Sequence, residues 1–169
     1  MTADRTWINS MGGLYVCLPG TALGSWQGGV EDDEDDSEEL TDYWQAGLTD
    51  GVVGTYSVAG HEALVLAAGE GPLTYVPHLD LFVQRKAKTS STNIIETVTD
   101  ALPEVQWGEA VQWNAGDDLV VLDAVWPGNE VPADRLLPVP RAAGPVGVHV
   151  AELKPSARWN VWVTLYLLT

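Results

Sequence analysis

The chain reads as a mainly β protein, a β-rich α+β fold built on an antiparallel sheet with one or two short helices. Short runs rich in Val, Leu, Trp and Tyr recur along its 169 residues, and Gly, Pro and Asp punctuate them as turn residues do. Only one segment carries a well-marked apolar pattern at helical spacing. With 46% hydrophobic residues the length fits one domain spanning residues 1–169, and no internal repeat or change of composition divides it.

The elements follow in order. Residues 14–18, after Gly12-Gly13, form the first compact apolar run. Residues 52–58 and 61–68 face each other across Ala59-Gly60, a two-residue connection that predicts a hairpin. Residues 79–85 form a strand after the turn residues Pro72 and Pro77. In residues 107–113 Trp107, Glu109, Val111 and Trp113 alternate onto one face, and the turn Gly116-Asp117-Asp118 leads into a strand over 119–125. Val146, Val148 and Val150 share a face of the next run, and Trp159, Val161, Val163, Leu165 and Leu167 a face of the last. The helix begins at Asn93 as N-cap with Glu96 three residues on. It repeats Ile94, Ile95, Val98, Ala101 and Leu102 at helical spacing and stops at Pro103. A weaker helix covers residues 41–48, with Thr41 or Asp42 offering a side-chain acceptor to the first-turn amides. Five prolines in residues 127–145 predict an irregular surface connection.

Charge is concentrated. Glu31, Asp32, Asp33, Glu34, Asp35, Asp36, Glu38 and Glu39 fall within nine positions and supply half of the formal net charge of −16. Like charges at this density repel, which predicts a solvated, mobile loop at about residues 30–40. It serves either as a solubility loop or as an electrostatic lure that speeds encounter with a basic partner. The same charge disfavours nucleic acid and anionic membrane, whose phosphates need a positive surface. No leader opens the sequence, and no stretch approaches the ~18 uninterrupted apolar residues of a membrane span, so the expected location is the cytoplasm.

A search for chemistry returns little. Cys17 stands alone between Val16 and Leu18, a setting for a small buried side chain rather than a reactive thiol. His61-Glu62 and the pair His78 and Asp80 lack a second local ligand at metal spacing, and His149 is isolated, so no metal and no cofactor is expected. The acid run offers oxygen ligands but not the glycine or spacing of a calcium-binding helix-loop-helix. No nucleophile elbow and no phosphate-cradling glycine loop is present, and Asp117-Asp118 reads as turn chemistry while Asp123 is an ordered acid without an evident role. No catalytic residue is assigned.

Eight tryptophans are the other unusual feature. Trp7, Trp107, Trp113, Trp126 and Trp159 sit in apolar surroundings that suit a core. Trp26 immediately precedes the acid run, and Asp42, Tyr43 and Trp44 immediately follow it. Aromatics beside acids have the composition of a hot spot for a basic protein. Stacking on a sugar and simple core packing are the competing uses.

As an ordered set, several pieces resemble the immunity protein 21 family. They are Trp7-Ile8-Asn9-Ser10-Met11-Gly12-Gly13, Leu18-Pro19, Trp26-Gln27-Gly28, Thr41-Asp42-Tyr43, Glu62-Ala63-Leu64-Val65-Leu66, Thr74-Tyr75-Val76-Pro77 and Phe82-Val83-Gln84-Arg85. The resemblance is concentrated in about the first 90 residues, and the acid run looks like an insertion into the pattern. It implies a bacterial protein that neutralises a co-produced toxin of a polymorphic toxin system by stoichiometric binding, with no catalytic residue to carry over. The expected partner is a cognate protein toxin with a basic surface, contacted through Trp26, the eight acids of the run, Asp42, Tyr43 and Trp44. A glycan-binding or general interaction module, or a small hydrolase assembled from His61, His78, His149 and the ordered acids, are the alternatives.

Overall fold

The strands over Tyr15–Pro19, Leu73–Val76 and Leu81–Arg85 are buried at almost every position, so both of their faces are covered. In the computed structural model, which describes residues 5–29, 41–86 and 93–169, the strand β1 (Tyr15–Pro19) is buried at all five positions. Tyr15 and Cys17 point into one core, Leu14, Val16 and Leu18 into another. That pattern requires a layer on each side of the sheet.

The remaining strands are β2 (Val53–Val58), β3 (His61–Leu66), β4 (Leu73–Val76), β5 (Leu81–Arg85), β6 (Val111–Ala115), β7 (Leu119–Asp123), β8 (Leu137–Val139), β9 (Gly144–Leu153) and β10 (Val163–Leu168). They form two five-stranded sheets, ordered β2-β3-β1-β7-β8 and β4-β5-β10-β9-β6, antiparallel at every pairing. The fold is therefore mainly β. The sheets pack face to face on a core holding Tyr15, Leu64, Leu66 and Val121 from the first, and Phe82, Trp113, Val148 and Tyr166 from the second. The outer face of the first sheet is covered by α1 (Asp42–Ala46), a 3-10 turn at Gly20–Ser25 and loops, through Ala22, Trp26 and Ala46. The outer face of the second is covered by α2 (Ile94–Ala101) through Ile94 and Val98.

The Ala59-Gly60 hairpin forms as the sequence predicts. Both residues have positive φ, 48° and 78°, and Val58 pairs with His61 across them. Four expectations need correction. The strand around Trp113 begins at Val111, while Trp107 is half-buried against the α2 cluster and the Gly108 amide bonds the Val150 carbonyl. The last strand likewise begins at Val163 rather than near Trp159. The four residues between Pro72 and Pro77 are a strand, β4, since flanking prolines are tolerated at the edge of a sheet. Within the proline-rich 127–145 segment, β8 also pairs, in a register that leaves Pro138, which has no amide proton, facing away from β7.

Helix starts differ too. Neither Asn93 nor Thr41 makes a side-chain cap. The Asp42 carboxylate is engaged by groups outside its own helix. The acidic residues 31–39 lie outside the described residues.

Candidate interaction surface

Trp26 and Trp44 flank the acid run in similar company, and the fold separates them completely. Trp26 is 1% exposed, its indole Nε1 donates to the Ala124 carbonyl at 2.9 Å, and its ring meets Tyr56 edge-on at 5.9 Å. The sequence expectation that it anchors a partner is corrected: the side chain fills the outer core of the first sheet and presents nothing to solvent. Burial of an indole that also finds an acceptor is the more stable use of that residue. Trp113 is buried in the same manner between the sheets, its Nε1 donating to the Glu62 carbonyl at 2.9 Å.

Around Trp26 the chain is clamped. The Gly28 carbonyl accepts from the Tyr43 amide at 3.2 Å, the Gly29 amide donates to Val125, and the Gly128 amide donates to Trp26. Gly28 takes φ +69°, and a Cβ there would lie 2.6 Å from the backbone of Trp126 and Pro127. Asp42 closes the clamp from the other side. One carboxylate oxygen accepts from the Gln27 amide at 2.8 Å and the other from the Tyr56 hydroxyl at 2.7 Å. Burial, that hydrogen bond and the charge of Asp42 push the Tyr56 phenol up to about 12. The described residues on either side of the acid run, Gly28-Gly29 and Asp42-Tyr43, are thus held at one corner of the fold.

The outer side of this corner is apolar. Tyr43 packs partly against the outer core and lies over Gly12 and Gly29, where its ring leaves no room for a Cβ. Trp44 meets the Tyr43 ring edge-on at 5.2 Å and is 48% exposed. Leu48 and Val52 follow at 72% and 41% exposure, and Met11, next to the Gly12 that touches Tyr43, at 66%. Among the described residues these four are the exposed large hydrophobics, and three of them fall within the same short stretch of chain. Sequence reasoning missed Leu48, Val52 and Met11. Leu48 and Val52 stand at the ends of the expected helix 41–48 and strand 52–58, and the available signal was their position, like that of Met11, beside Gly and Asp turn residues.

Asp123, an ordered acid without a role in the sequence, explains the loop that presents Met11. It is 4% exposed and accepts from the Met11 amide at 2.9 Å and the Ser10 hydroxyl at 3.1 Å. Ser10 accepts in turn from the Gly13 amide at 2.8 Å. Gly13 takes φ +78° with the Gly69 backbone 2.9 Å from where a Cβ would be.

The groups weighed for catalysis sit elsewhere. His61 opens β3, His78 is exposed in the turn after β4, and His149 lies on β9 with Nδ1 2.9 Å from the Gly108 carbonyl. Asp80 pairs with Arg141 and accepts from the Tyr75 hydroxyl, not from His78. Cys17 is fully buried, and burial pushes its thiol far up, out of the reactive range. Asp118 holds a left-handed turn position at φ 50°. Among the described residues no three His, Cys, Asp or Glu side chains converge as a metal site, and no helix is long and apolar enough to cross a membrane.

The described surface here is an apolar corner formed by Met11, Tyr43, Trp44, Leu48 and Val52. The profile of immunity protein 21 matches residues 6–159, nearly the whole chain. No curated protein and no solved structure matches it. The match extends well beyond the first 90 residues, through β6, β7, β8 and β9, and the chain belongs to the immunity protein 21 family.

Proposed function

We propose that this chain neutralises a cognate bacterial toxin by stoichiometric binding, occluding the toxin's active site or substrate path, and that the corner around α1 contacts it. One observation carries the reading. Between Arg5 and Arg85 the sequence contains no Lys or Arg, yet it holds the acid run, Asp42, Asp50, Glu62, Glu70 and Asp80, together with all four exposed large hydrophobics. This stretch is acidic and apolar and contributes no Lys or Arg of its own, a character complementary to a basic protein. Trp44 is the aromatic anchor, Tyr43 supports it, and Asp42 holds both ends of the excursion in place. The reading places the protein in the cytoplasm and assigns it no catalysis, no nucleic acid and no membrane. Protection from a few toxin molecules favours a dissociation constant of about a nanomolar, roughly 12 kcal/mol.

The two parts of the surface act on different rate constants. With the purified toxin domain encoded in the adjacent reading frame, replacing the eight acids by Ser and Gly slows association at low salt by about 10- to 1000-fold and flattens its salt dependence. Trp44→Ala instead speeds dissociation by about 10- to 1000-fold. Stopped-flow fluorescence separates the two. An unchanged association rate reduces the run to a solubility loop, and a wild-type chain that does not bind the toxin overturns the reading.

A further inference from the structure

A sandwich of two open sheets has four edge strands, and three of them are protected. The outer side of β4 is covered by residues 5–8: Ile8 bridges Leu73, the Thr74 hydroxyl donates to the Thr6 carbonyl, and Arg5 donates to the Tyr75 carbonyl. The three residues of β8 turn Pro138 outward. On β6 the outward Asn114 amide is met by the Glu62 carboxylate at 3.3 Å. The fourth edge, β2, has none of these guards. It runs six residues without proline, lysine or bulge, and among the described residues no strand pairs with its far side.

The register identifies the open groups. The Ala67 amide donates to the Val52 carbonyl, and Val52 is followed by the pairs Gly54 with Val65, Tyr56 with Ala63 and Val58 with His61. Alternation in an antiparallel ladder makes these the bonded residues and turns the backbone of Thr55 and Ser57 outward. Both residues are exposed. Resting on the toxin-binding reading above, we propose that the partner adds an extended strand of its own to β2, so that the first sheet continues into a basic protein. Main-chain pairing supplies the contact and side chains on alternate faces the selectivity. Asp42, bonded to Tyr56, and Glu62, opposite Ser57, put one carboxylate on each face of β2, and Val52, Leu48 and Trp44 extend the contact past its start. A second copy of this chain fits poorly. It would bring the same acids against each other, with no Lys or Arg between Arg5 and Arg85 to balance them.

Amide exchange of the purified chain, alone and bound to the toxin domain of the adjacent reading frame, tests the pairing. In the free chain the Thr55 and Ser57 amides exchange quickly while the Tyr56 amide is protected. In the complex both outward amides slow by about tenfold or more. Thr55→Pro, which removes one outward donor, weakens binding by about 10- to 100-fold, whereas Thr55→Ala binds as wild type does because its backbone is unchanged. If Thr55→Pro fails to fold, the exchange result decides alone. A complex that leaves Thr55 and Ser57 exchanging freely, or a folded proline variant with full affinity, overturns the strand pairing but not the toxin reading. Protection that appears with self-association alone makes a second copy the occupant and overturns the basic partner. Absence of any complex overturns both.

Discussion

The two segments that border the acid run start from similar sequence and end in opposite environments. Trp26-Gln27-Gly28-Gly29 is drawn into the fold, its indole inside the outer core and its backbone held by residues 124–128. Asp42 through Val52 is fixed at only a few points. Asp42 and Ala46 hold it down, while Trp44, Leu48 and Val52 stay outside. The first sheet needs a cover over Val16, Leu18, Ala63, Val65 and Leu122, and Trp26 supplies it together with Ala22 and Ala46. A second indole, Trp126, packs partly against the same cluster, and Trp44 stays outside it. Trp44, left exposed beside a buried Trp26, is an apolar side chain available for a partner.

The largest test of this contrast is truncation of each tryptophan. Trp26→Ala lowers unfolding stability by about 3 to 5 kcal/mol, and Trp44→Ala changes it by no more than about 0.5 kcal/mol. Urea denaturation measures both, and equal losses would erase the distinction. Glycine substitutions probe the backbone in the same pair of segments. Gly28→Ala places a side chain at φ +69° against the Trp126 and Pro127 backbone and loses about 2 to 3 kcal/mol. Gly47, just past α1 at φ −66° with only ordinary van der Waals neighbours, accepts alanine with a gain of about 0.4 to 1 kcal/mol. Opposite shifts in thermal midpoint are the expected outcome.

A smaller effect than that of Trp26 or Gly28 concerns Tyr56, which links the segments by touching the Trp26 ring and donating to Asp42. Tyr56→Phe removes the hydrogen bond and loses about 1 kcal/mol near neutral pH. Its pH dependence has a definite sign. The folded phenol is raised to about 12, whereas an unfolded tyrosine titrates near 10, so the unfolded chain releases this proton first. The stabilisation is present below about pH 10 and is lost as the pH rises toward about 12. The variant loses stability less steeply over that window. Some slope persists, because burial raises the Tyr15 and Tyr166 phenols as well.

Local chemistry determined much of this protein without reference to its tertiary structure. The two-residue turn at Ala59-Gly60, the single amphipathic helix over Ile94–Ala101, the buried Cys17 and the strands β1, β3 and β7 all follow from short-range pattern, because a strand or helix face records its own burial in the order of its side chains. The ordered pieces that resembled the immunity protein 21 family are likewise a property of the sequence. The sites of contact are not. Whether Trp26 or Trp44 is inside depends on how much space the outer face of the first sheet leaves, and that space is set by residues up to 98 positions away, as the bond from Trp26 to Ala124 shows. The work of Asp123 was hidden for the same reason, since its partners Ser10 and Met11 are more than 110 residues earlier. Edge strands such as β4 and β8 were also invisible, because prolines that forbid a central strand are harmless where one side of the ladder is unpaired. A sequence states which residues prefer burial; only the packing of the sheets decides which of them obtain it, and which are left at the surface for a partner.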